Sequence, residues 1–254
     1  MILRSRFRPR LWFALAGFLA GSGVIAAQAA PTATPARPVV VELYTSQGCS
    51  SCPPADAFLG RLADRAGVLA LSLPITYWDM LGWKDTLASK ADTDRQKAYA
   101  AAMGRGGIYT PQMIVDGLND LVGSREAAIE KAIAARQADM QDVPVTLTLA
   151  RDQLHIAVAG SDAKPEGEAT IWLFAVEPKA TVKIGGGEND GRTITYRNVV
   201  RAIKAVGMWK GAPVSIDLSR SETGAGRGDG VAVLVQTKGY GRIVGAADAG
   251  LAAH

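Results

Sequence analysis

Cys49 and Cys52 are the only two cysteines among 254 residues, and Ser50 and Ser51 separate them in one CxxC motif. The run ahead of them, Val39 to Tyr44, reads as a buried strand, and the motif reads as opening a helix. A helix start carries unpaired N–H groups and partial positive charge, which stabilise a thiolate on the first cysteine. A three-residue step on the first turn brings the second sulfur close enough to resolve a mixed disulfide. The pattern therefore suits thiol–disulfide exchange, with Cys49 as the exposed nucleophile and Cys52 as the resolving thiol. The competing reading is a structural disulfide, but so small a loop removes little entropy from the unfolded chain and makes a poor staple. Ser50 and Ser51 supply no positive charge, so the dipeptide leaves the redox poise open.

Other chemistries find less support. Two cysteines without nearby histidines make a poor zinc site, since tetrahedral sites want four ligands. His155 lies in a predicted strand and His254 at the terminus. Soft thiolates select Cu(I), but no methionine or histidine cluster adjoins the motif. Exchange itself requires no bound cofactor. The glycine-rich stretch Gly185 to Gly191 matches neither GxGxxG nor a P-loop. It reads instead as a turn that docks the second half of the chain on the CxxC face through Glu188 and Asn189. Arg227-Gly228-Asp229 reads as a polar hairpin tip. Tyr77, Trp78 and Trp83 read first as packing, with Trp78 kept as a candidate for gripping a partner's apolar chain.

The elements that must position the motif follow in order. Arg4, Arg6, Arg8 and Arg10 precede an apolar run, Leu11 to Ala27, and Ala27-Gln28-Ala29 offers a cleavage site. This predicts a Sec-type signal peptide over 1–29, with an uncleaved anchor as the alternative, and a Pro/Ala/Thr tether over 30–37. The four arginines account for the whole formal net charge of +4, so a nucleic-acid partner loses its main support. Export also places the cysteines where a disulfide persists. Helices are predicted over Ala55 to Ala66, Asp92 to Met103 (capped by Asp92 or Thr93) and Arg125 to Ala138 (capped by Ser124). Strands are predicted over Val68 to Ile75, Ile108 to Asp116 and Leu121-Val122. Beyond Asp142 the chain turns mostly to strands, with Asn198 to Val206 as its one predicted helix.

Strand, CxxC and a later Thr110-Pro111 entering a strand resemble the thioredoxin fold. More narrowly, ELYTSQGCSSCPPAD, YWDMLGWKD, RQKAYA, YTPQMIVDG and GGGENDGRTITYRNVVRAI together resemble the DUF1223 family, exported bacterial proteins with a thioredoxin-like domain and no settled function. The resemblance implies that Pro111 is a cis-proline set against the CxxC, turning the backbone of Thr110 toward the sulfurs to pair with an extended substrate chain. It also implies that Glu42, seven residues before Cys49, is the buried acid that takes the proton from the resolving cysteine. A carboxylate within Val39, Val40, Val41 and Leu43 is desolvated, which raises its pKa and suits that role; the alternative is an exposed acid on an edge strand. Family members often carry His and Asp where this chain has Pro74 and Thr76, so no role rests there.

The sequence thus predicts an α/β protein: a thioredoxin-like domain over 38–141 followed by a mostly-β, sandwich-like domain over 142–254. The predicted activity is that of a periplasmic or secreted thiol–disulfide oxidoreductase. Cys49, Cys52, Pro111 and Glu42 form its catalytic set, and Thr110 and Trp78 contact substrate. Its partners are protein thiols or disulfides and a redox partner protein, it touches a membrane only through an uncleaved signal segment, and it is a monomer. The alternatives are a non-catalytic binding module and a Cu(I) chaperone.

Overall fold

Two apolar runs, VVVELYT and VLALSLP, carry almost no polar side chains, and both are buried along their whole length. Strands of that composition belong inside a sheet covered on both faces. In the computed structural model, which describes residues 37–139, 143–161, 168–226 and 228–251, they are parallel neighbours in an eight-stranded sheet. The expected signal peptide, the tether apart from Arg37, the boundary residues Gln141 and Asp142, Arg227 and His254 lie outside the described residues.

The elements run β1 (Val39–Thr45), α1 (Pro53–Ala63), β2 (Val68–Pro74), a 3-10 turn (Tyr77–Met80), α2 (Lys90–Ala102), β3 (Gln112–Val115), β4 (Asn119–Val122) and α3 (Glu126–Ala138). There follow β5 (Val145–Leu149), β6 (Gln153–Val158), β7 (Ala169–Lys183), a second 3-10 turn (Gly187–Asn189), β8 (Thr193–Trp209), β9 (Val214–Ser219), α4 (Arg220–Thr223), β10 (Gly230–Thr237) and β11 (Ile243–Ala249). The large sheet has the order β11-β10-β7-β8-β2-β1-β3-β4, and β5-β6-β9 form a second sheet.

The described residues, 37 to 251, form one compact unit. The strands expected to make a separate second domain instead extend the first sheet: β8 lies parallel to β2 through Ser72 and Val199, and Asn198 beside that junction donates to the Ala70 carbonyl. A sandwich does exist in this half, because β5, β6 and β9 pack against one face of β7, β10 and β11. Its other layer belongs to the eight-stranded sheet. The result is a mixed α/β architecture dominated by one large sheet.

The alternation of β1 divides the core. Val39, Val41 and Leu43 pack against Ala55, Phe58, Leu59 and Leu62 of α1 and Ile129 and Ile133 of α3. Val40 and Tyr44 face the other way, toward Tyr99 of α2 and Phe174, Ala232 and Leu234 of the later strands. Each large apolar side chain buried in these layers contributes about 1.5–3 kcal/mol relative to exposure.

Several expectations need correction. Asn198 to Val206 is not helical but the middle of β8, paired with β7 along nearly its full length. Val199, Val200, Ile203 and Val206 fit a helical stripe, yet their β-branched side chains also suit a strand, and the long ladder decides. Helix α2 starts earlier than expected and is capped by Ser89, whose Oγ accepts from the Asp92 amide. Helix α3 has Arg125 at its N-cap with no side-chain cap bond, so Ser124 does not cap it.

Candidate functional site: a covered disulfide

Cys49 and Cys52 are joined as a disulfide, with their Cα atoms 5.4 Å apart. Cys52 is the N-cap of α1, and Pro53 and Pro54 occupy the first helical positions. Cys49 therefore lies in the turn before the helix rather than on its first turn as expected. The Cys52 amide donates to the Cys49 carbonyl at 3.1 Å, closing that turn. Cys49 was expected to be exposed, but both cysteines are fully buried, and only Ser50 and Ser51 face solvent. The Cys49 sulfur lies 3.3 Å from the Ser51 hydroxyl.

Three segments hold the turn down. From the loop after the first 3-10 turn, the Trp83 indole N–H donates to Gln47 Oε1 at 2.8 Å, and Asp85 accepts from the Gln47 amide at 2.8 Å. From between β7 and β8, Asn189 donates its side-chain amide to both the Gln47 and Cys49 carbonyls, at 2.9 and 2.8 Å. Beside it the Glu188 carboxylate accepts from the Ser50 amide at 3.0 Å, and bonds to Ser50 lower the pKa of this exposed acid. Trp83 packs against this loop: a Cβ at Gly187, where φ is +72°, would stand 3.2 Å from the Trp83 Cβ, a crowded left-handed position that favours glycine. The docking expected of Glu188 and Asn189 is thus observed atom by atom.

On the third side, the Thr110–Pro111 peptide is cis. The Trp78 indole N–H donates to Thr110 Oγ1 at 2.9 Å, and the Trp78 Cβ would touch a side chain at Gly48. Trp78 and Thr110 therefore stand together over the loop entering the disulfide. Pro111, Ala55 of α1 and Leu43 of β1 crowd around Gly123, where an added Cβ would approach each within 3.2 Å.

Glu42 is not available for proton transfer. It lies on the face of β1 shared with Val40 and Tyr44, opposite the face that α1 covers. There it is fully buried and paired with Arg95, whose Nε is 2.6 Å from its carboxylate, and the Tyr99 hydroxyl donates to it at 2.6 Å. Arg95 in turn stands 5.1–5.5 Å from the ring centroids of Tyr99, Trp172, Phe174 and Tyr240 and donates to Gln236. Ion pairing and ring contacts offset the desolvation of both charges, and the cluster ties β1 and α2 to β7 and β10.

A buried acid on the disulfide side does exist: Asp56, one helical turn beyond Cys52. It is 4% exposed, accepts from Thr45 Oγ1 at 2.7 Å through Oδ1, and has no partner at Oδ2. Burial pushes its pKa up from 3.8 to about 7, against the Thr45 bond and with help from Asp85. The sequence signal was present, since Cys52 and Asp56 share a helix face at a four-residue step. An acid in an otherwise apolar stripe with Phe58, Leu59 and Leu62 is the pattern that finds it.

Among the described residues no group of three or more His, Cys, Asp and Glu side chains is arranged to hold a metal ion. His155 pairs with Asp217 at 2.7 Å on the small sheet. No described helix is long and apolar enough to cross a membrane.

A mixed α/β protein built on one large sheet, with a covered CxxC disulfide ahead of α1, is the class these features define. The chain belongs to the family described as "Protein of unknown function (DUF1223)", whose pattern it matches over residues 40–236. The crystal structure of protein AGR_C_4864 from Agrobacterium tumefaciens is 36% identical, covers 85% of this chain and 95% of that one, and superposes with a TM-score of 0.74. HBP35 of Porphyromonas gingivalis shares the fold alone, at 15% identity, 85% and 75% coverage and a TM-score of 0.61. Comparison with curated proteins finds no match.

Proposed function

We propose that this protein is an exported thiol–disulfide oxidoreductase whose β1-α1-β2 and β3-β4-α3 segments act as a thioredoxin-like unit. The observation that carries this reading is the Cys49–Cys52 disulfide at the start of a helix whose first turn carries a buried acid, Asp56. In the reducing direction, the Cys49 thiolate attacks a substrate disulfide, forming a mixed disulfide and releasing one substrate thiolate. Asp56 then takes the Cys52 proton, and the Cys52 thiolate attacks the Cys49 sulfur. That step restores the Cys49–Cys52 bond and releases the second substrate thiolate. Thr110 and Trp78 line the approach, and the partners are protein thiols or disulfides and a redox protein that resets the couple. The arginine-led apolar N-terminus supports export to the periplasm or beyond, and the protein works as a monomer.

The test is exchange by the full chain with a model disulfide substrate such as insulin. Cys49→Ser should abolish turnover, and retained activity in that variant would sink the proposal. A second reading, a non-catalytic binding module, is favoured by the burial of both sulfurs. It would be upheld by a disulfide that stays oxidised at every glutathione ratio.

A further inference from the structure

The acidity of Cys49 depends on which donors and charges surround it, and the turn is short of donors. Of residues 50–54, Pro53 and Pro54 carry no N–H, and the Cys52 amide is bonded to the Cys49 carbonyl. The amides of Ser50 and Ser51 remain. The first of these is taken by Glu188, from a loop far along the chain. Asn189, 1% exposed, fixes that loop by its two bonds to the Gln47 and Cys49 carbonyls, and Arg192 donates to Asn189 Oδ1 at 3.1 Å, orienting its amide.

We propose that Glu188 is a positioning residue that sets the reactivity of Cys49. Its carboxylate occupies the Ser50 amide and places a negative charge beside the site where the thiolate forms. This inference rests on the exchange reading for its biological meaning, not for its measurement. The charge disfavours the thiolate but leaves the neutral disulfide untouched. Wherever reduced Cys49 ionises, it therefore shifts the couple toward the oxidised form and makes the protein a weaker oxidant than its CxxC alone would be. The bland role, a loop anchor, is carried by Asn189 and Trp83, so charge and anchoring are separable by substitution.

The experiment compares wild type with Glu188→Gln, which keeps a hydrogen-bond acceptor for Ser50 but removes the charge. Alkylation of reduced Cys49 by neutral iodoacetamide is followed against pH in a Cys52→Ser background. Glu188→Gln should lower the pH midpoint and raise the rate below it by about three- to tenfold, as expected for one carboxylate at close range near the surface. The difference should shrink in 1 M salt, because exposed charges are screened. In the intact pair, glutathione equilibration at a pH above both midpoints, where reduced Cys49 is the thiolate, should favour the reduced variant by a similar factor, and the two proteins should converge below the midpoints. There, two glutathione thiols give up two electrons and two protons, the Cys49–Cys52 bond breaks and glutathione disulfide forms. Equal midpoints and equal salt dependence in the two proteins would overturn the role of Glu188 even if the disulfide exchanges normally. A disulfide inert to glutathione would overturn the exchange reading instead, while a shifted alkylation profile would still uphold the effect of Glu188.

Discussion

Asp56→Asn isolates the consequence of burying an acid in the first turn of α1. Asp56 is 4% exposed, holds one hydrogen bond, and has its pKa raised from 3.8 to about 7. The folded state therefore binds this proton more tightly than the unfolded state does. Stability from this group is complete below about pH 4, falls as pH rises through 4 to 7, and is level beyond. The difference of about three pH units corresponds to about 4 kcal/mol, an upper figure for so buried a group. Asparagine cannot ionise and keeps an acceptor for Thr45, but its amide NH2 replaces an oxygen that has no partner, which costs about 1–2 kcal/mol. Guanidinium unfolding of the oxidised full chain should show Asp56→Asn more stable than wild type by about 2–3 kcal/mol at pH 8. At pH 4, where almost none of that ionisation difference is present, it should be weaker by about 1 kcal/mol, with the denaturant slope unchanged. Parallel pH profiles for the two proteins would refute the reasoning, since they would mean that Asp56 ionises as freely in the fold as out of it.

Asp92 offers the same argument on α2: it is fully buried, neither carboxylate oxygen has a partner, and burial pushes its pKa up to about 8. The stability of Asp92→Asn relative to wild type should therefore grow as pH rises from about 4 to 8 and stay level beyond, measured by the same unfolding series. At the Glu42–Arg95 pair, Arg95→Met leaves a buried carboxylate without its counter-charge and should cost about 3–5 kcal/mol. Adding Glu42→Gln should restore part of that loss, so the double variant should be more stable than Arg95→Met alone, and additive losses would show that the pair is not coupled.

The boundary between what the sequence shows and what folding decides runs through single elements. β1 was legible because an apolar run of β-branched residues has few other stable environments, and α1 because its apolar residues recur at helical spacing behind two prolines. In β8 local pattern failed, since 198–206 satisfies both periods and only the ladder with β7 settles it. The burial of Glu42 was legible too, but its direction was not. Alternation says that Glu42 and Leu43 face opposite ways, not which face α1 will cover, and that choice puts Glu42 on the side away from α1, while Asp56 of α1 bonds to Thr45.

By itself the sequence determined the chemistry available: two cysteines in one CxxC motif, a proline pair that strips donors from the helix start, and membership of a family with a matching set of motifs. Those are properties of residue type and spacing, which no packing can alter. Only the tertiary structure decided that the sulfurs are covered and that a carboxylate some 140 residues along the chain sits on the Ser50 amide, bonded across a separation of 138. It also decided that β7, β8, β10 and β11 join the first sheet instead of standing apart. Such contacts follow from where β8 docks on β2, a pairing between distant strands that local propensity does not encode and that only the burial of both apolar faces makes favourable.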